Sequence, residues 1–181
     1  VNIVNFSKLP PIRNYKMYRL FGYYAVYLKG RQSAKLHYGR GMYQYEEGAL
    51  VFFAPGQVGG AEDDGKYHQM TGYVLMFHPD LLKGTALSQI MQQYSYFSYN
   101  INEALFPTEE ERNILICFFE HIEKELRNRD ECSVPIILDY IKLILDYCVR
   151  FYDRQFSTRQ VQDKDVLVRF EQIINNYFHS G

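Results

Sequence analysis

The chain has no tryptophan, only three cysteines, and no excess of either charge: 20 basic side chains stand against 21 acidic ones, for a net charge of -1. Near-neutrality excludes a sequence-wide electrostatic footprint for nucleic acid or an anionic membrane surface. Apolar runs such as residues 49–54 and 136–138 fall far short of the roughly 20 residues a membrane-crossing helix requires. Cys117, Cys132 and Cys148 are odd in number and show no CxxC spacing, which argues against a disulfide framework and against a zinc site, and predicts reduced thiols. The first residues lack a basic stretch, apolar stretch and cleavage site in series, so the expectation is a soluble, cytoplasmic protein. The end at Ser180-Gly181, directly after an amphipathic segment, suggests a piece of something longer.

Aromatic rings are abundant instead, with 17 tyrosines and 13 phenylalanines. Amphipathic rings at that density suit a pocket wall or an interface.

Organisation changes midway. From Tyr23 to about His78, glycines punctuate short aromatic and β-branched runs, which predicts strands over residues 23–28, 34–38, 42–45, 49–54 and 72–77. With no helix between them they pair antiparallel and must close or stack to hide their edges, giving a small barrel or sandwich. Beyond Pro107 the apolar period becomes helical. Thr108 with Glu111 three residues on forms a capping box, and acidic residues fill the first turn. A helix is predicted from there to about Arg129, with Ile114, Leu115, Phe118, Phe119, Ile122 and Leu126 on one face and the pairs Glu120–Lys124 and Glu123–Arg127 outside.

Ser133 is read as the cap of a second helix running to about Gln155, whose polar side holds only Asp139, Lys142, Asp146, Arg150 and Asp153. Its stripe of Ile137, Ile141, Ile144 and Cys148 suits the preceding helix. Two flanks remain, Tyr140, Leu143 and Tyr147 on one side and Leu138, Leu145 and Val149 on the other. One is expected against the strands and one against a second subunit, so all six are candidate dimer-interface residues. A third amphipathic segment spans residues 165–178.

Catalytic patterns are sparse. His37, His68, His78, His121 and His179 show no two-to-four spacing for a shared metal, and no serine, cysteine or threonine sits in a nucleophile setting. Gly39 and Gly41 read as a turn between strands, residues 59–65 as a hairpin tip, and Glu46-Glu47-Gly48 as another turn. What remains is the aromatic lining. Tyr23, Tyr27, Tyr43, Tyr45, Phe53 and Tyr73 on predicted strands, with His37, are candidate effector-binding residues. The reading assigns no catalytic residue, metal or cofactor.

Two segments of the strand half, residues 45–57 (YEEGALVFFAPGQ) and 72–82 (GYVLMFHPDLL), with residues 96–105 (YFSYNINEAL) leading into the capped helix and 145–156 (LDYCVRFYDRQF), both similar to the family's linker region, resemble the N-terminal half of AraC-type transcription regulators. Residues 165–178 (DVLVRFEQIINNYF) resemble the segment leading into that family's DNA-binding half. The likeness spans nearly the whole chain and implies a cupin-like barrel over residues 1–100, a helical dimerisation hairpin over 101–157, and a linker helix over 158–181 before an absent helix-turn-helix part. It implies an α+β fold, a homodimer, a small-molecule effector such as a sugar or an aromatic compound, and promoter DNA bound only through the absent part. No membrane partner is implied. The histidine ligands of metal-dependent cupins have no counterpart: Gly59 occupies one such place and no HxH pair precedes it. Alternatives left open are a metal-dependent cupin enzyme and a barrel that only joins subunits.

Overall fold

In the computed structural model the description covers residues 1–13, 17–30, 36–38, 41–43, 47–61, 63, 65–97 and 104–179; for residues 17–19, 36–38, 41–43, 61 and 157–179 it is of the backbone alone. The fold is α+β, with antiparallel sheets followed by helices. Strands β1 Asn2–Asn5, β2 Ile12–Arg13, β3 Met17–Leu20, β4 Tyr24–Lys29, β5 Leu36–Tyr38, β6 Gly41–Tyr43, β7 Leu50–Phe53, β8 Val58–Ala61, β9 Tyr67–His68 and β10 Gly72–Phe77 precede helices α1 Ala86–Ile90, α2 Glu109–Asn128 and α3 Ser133–His179. One sheet has the order β1-β10-β4-β7, a second the order β3-β8-β5-β6, and β2 pairs with β9. Among the described residues these ladders stay separate and do not join into one closed barrel.

The first sheet is buried on both faces, which explains why β7 reads as unbroken apolar sequence instead of alternating. Its outer face, with Val26, Leu28, Leu50, Phe52, Leu75 and Phe77, joins Leu115, Phe119 and Ile122 of α2 and Ile137, Ile141 and Ile144 of α3 in one continuous core. The inner face carries Ala25, Val51, Phe53 and Val74, with Val4, Phe6, Phe21, Tyr23 and Tyr27 packed on them. Gly72 opposes Lys29 in the β10–β4 register, with φ +103°, and a Cβ there would collide with the Leu28 carbonyl, so only glycine fits.

Helix α2 begins as expected. The Thr108 hydroxyl accepts from the Glu111 amide, and the Glu111 carboxylate accepts from the Thr108 amide at 2.7 Å. The same carboxylate takes Arg154 of α3 at 2.8 Å, so one side chain both caps α2 and ties the two helices together. Glu123 pairs with Arg127 at 2.7 Å, whereas Glu120 accepts from Tyr73 of β10. Ser133 is the first residue of α3 rather than its cap, and its buried hydroxyl accepts from the Asp130 amide at 3.1 Å.

The expected break after Gln155 does not occur, because α3 continues for 47 residues, about 70 Å at 1.5 Å per residue. Residues 156–164 contain neither glycine nor proline, so nothing stops the helix. The anticipated linker helix and the boundary at residue 158 therefore lie within α3. Among the described residues no helix is long and apolar enough to cross a membrane.

Candidate functional site

Strand alternation sorts the seven candidate effector residues. Tyr23, Tyr27 and Phe53 gather on the inner face of the first sheet, where Phe6 lies 5.3 Å from the Tyr27 ring and Phe21 stacks on Phe53 at 4.5 Å. Burial pushes the Tyr27 phenol well above its usual range, and its hydroxyl has no hydrogen-bond partner among the described residues. Tyr73 falls on the opposite face. Its ring stacks on Phe119 of α2 at 5.7 Å and its hydroxyl donates to Glu120 at 3.3 Å, so it belongs to the contact between strands and helices and is removed from the inner-face set. The physical reason is register: Tyr73 opposes Leu28, and directly opposed residues share a face. Burial first, then the Glu120 carboxylate, raises the Tyr73 phenol. His37 and Tyr43 lie in the backbone of β5 and β6 with side chains outside the described residues, and Tyr45 lies outside them altogether.

Sequence reading missed Phe6, Phe21 and Lys29. Lys29 closes β4 with only 2% of its surface exposed, and burial lowers its ammonium to about 8. The signal was present, since Lys29 stands two residues after Tyr27 and four after Ala25 on one strand. Near it, between the first sheet and the opening turns of α2, lies a cavity of about 280 Å³ bordered by Leu28, Lys29, Gly48, Tyr73, Glu109, Arg112 and Asn113.

The helices present a second surface. Ile137, Ile141, Ile144 and Cys148 are at most 4% exposed against α2 and the sheet, as their spacing requires. Leu145, expected at a subunit contact, is fully enclosed by its own chain, and its carbonyl accepts from the Tyr96 hydroxyl at 2.9 Å. It is therefore withdrawn from the interface. Leu138 and Val149 on that flank are half-buried against the same core.

The other flank faces outward. Ile136, Tyr140, Leu143 and Tyr147 follow one another at four, three and four residues, with Ile136 and Leu143 exposed by 36% and 39%. Phe118 of α2 meets the rings of Tyr140 and Tyr147 at 6.0 and 5.6 Å. Ile114, Cys117, Phe118 and Tyr147 line an open groove of about 840 Å³ between the helices.

Among the described residues no three histidine, cysteine or acidic side chains converge, and the His78 ring accepts from the Asp80 amide at 3.2 Å to cap a short turn. Cys148 is wholly buried and its thiol is pushed up by burial, the condition of an inert core cysteine. No protein-family model matches the chain, and no curated protein matches it.

Proposed function

We propose that the chain is the effector-sensing and dimerising part of an AraC-type bacterial transcription regulator, in which a cupin-like barrel binds a small molecule and the α2–α3 hairpin pairs subunits in the cytoplasm. Promoter DNA would be met by a helix-turn-helix part outside this chain, and no catalytic step is assigned. One observation carries the reading: the outward stripe of Ile136, Tyr140, Leu143 and Tyr147, with Phe118 beside it, leaves aromatic and aliphatic surface uncovered on two packed helices. Contiguous apolar patches of this kind mark partner sites, and aromatic residues are enriched at interface cores. A ligand on the inner face would act by favouring one arrangement of the helices, limited by its differential affinity for the two.

Cys117 reports on this surface, because it is exposed and lines the groove, whereas Cys132 is exposed in the turn before α3. Maleimide labelling across a concentration series therefore tests the reading. Protection of Cys117 that disappears on dilution, with Cys132 labelled at one rate throughout, is expected; equal rates at both thiols at every concentration would refute it. A second reading, subunit pairing without a small ligand, draws on the Phe6, Phe21, Tyr23 and Phe53 rings packed on the inner face. Thermal shift against sugars and small aromatic compounds separates the two, since a ligand at a hundredfold its dissociation constant stabilises by about 2.7 kcal/mol.

A further inference from the structure

The cavity between the first sheet and α2 has walls of an unusual kind. Arg112 is half-buried there, and its guanidinium has no hydrogen-bond or ion-pair partner among the described residues. It is seated against Gly48, whose φ is +83° and where a Cβ would collide with the Arg112 side chain, so glycine makes room for the guanidinium. Glu47 and Glu109 add two carboxylates at the border. A guanidinium presents a planar fork of donors matched to a carboxylate, and leaving it half-desolvated without an acceptor is unfavourable. A guanidinium set beside carboxylates favours a zwitterion, with one group for each of its ends, over a lone anion or a lone cation. At about 280 Å³ the space lies below the range that holds drug-sized ligands, which excludes nucleotides and oligosaccharides.

From this geometry we propose that the cavity is a second binding site, separate from the inner face, for a small α-amino acid whose carboxylate is taken by Arg112 and whose ammonium is directed to Glu109. Glu109 and Asn113 also line the groove beside Tyr147, so the first turns of α2 have one side on the cavity and the other on the proposed subunit contact. Occupancy thereby biases pairing. That coupling rests on the dimer reading; the binding does not.

Titration calorimetry and thermal shift of the chain with each common L-amino acid test the proposal. At least one is expected to bind, with its amide and its deaminated acid at least tenfold weaker. Arg112→Gln is expected to abolish the response, Glu109→Gln to weaken it about tenfold, and both variants to melt near the parent temperature without ligand. Silence across the whole set overturns the site, as does a bound amino acid that stabilises Arg112→Gln equally. Should Arg112→Gln fail to fold, undiminished binding to the exposed-site variant Glu109→Gln overturns it instead. Either failure leaves concentration-dependent protection of Cys117 intact, whereas loss of that protection alongside amino-acid binding removes the dimer and keeps the site.

Discussion

At Lys29 a four-carbon stem and an ammonium are enclosed at the end of a strand, 2% exposed, and the lowered ammonium ties this residue to pH. The folded value of about 8 lies below the ordinary 10.5, so between those values the unfolded chain keeps a proton that the folded chain has released. Stability therefore rises with pH from 8 upward, and below 8 the desolvation cost is fully present, about 3 kcal/mol at most. Lys29→Met is expected to raise the midpoint of urea unfolding at pH 7 and to flatten the rise between pH 8 and 9.5; an unchanged slope would remove the argument. Restricting the comparison to that window matters, because phenols raised by burial, Tyr27 and Tyr96 among them, reverse the trend at higher pH. The same residue shows what alternation alone could reveal. A lysine in phase with Ala25 and Tyr27 was legible as inward-facing, whereas Arg112 was not, since its place over Gly48 depends on how α2 docks on the sheet.

Among the elements, α2 follows the sequence most closely, because capping and helical period are local properties, whereas α3 keeps its period but runs past the expected end at Gln155. The box at Thr108 and Glu111 forms as its spacing dictates. Thr108→Ala should cost about 1 kcal/mol. Glu111→Ala should cost more, since it also releases Arg154 and with it that side chain's bond to the Phe106 carbonyl at 3.1 Å. Thermal denaturation checks the order, and a Thr108→Ala effect equal to or larger than the Glu111→Ala effect contradicts the double role. Strands were less legible. Val58–Ala61 reads as loop through its two glycines, and Asn2–Asn5 is four residues flanked by asparagines, so neither offers a propensity signal; both are strands because long-range partners β3 and β10 supply their hydrogen bonds. Tyr73 was misassigned because a chain buried on both faces loses the polar alternation that shows which side faces the core.

Across the whole molecule, one core runs from the first sheet through both helices, and the apolar surplus of α3 is divided in two. The side with Leu145 is absorbed by the chain itself; the side with Leu143 is not. A stable pair of subunits buries about 1,200–2,000 Å² in total, and charge at the centre of such a contact is strongly disfavoured. Leu143 is 39% exposed in the single chain, so Leu143→Glu leaves the fold unperturbed and acts on association alone, weakening it at least about tenfold. Sedimentation velocity at micromolar concentration, on the parent chain and on Leu143→Glu side by side, tests this most directly. The account predicts twice the 21.5 kDa chain mass for the parent and the single-chain mass for the variant, with identical circular dichroism. A monomeric parent, or a variant that stays paired, would contradict it.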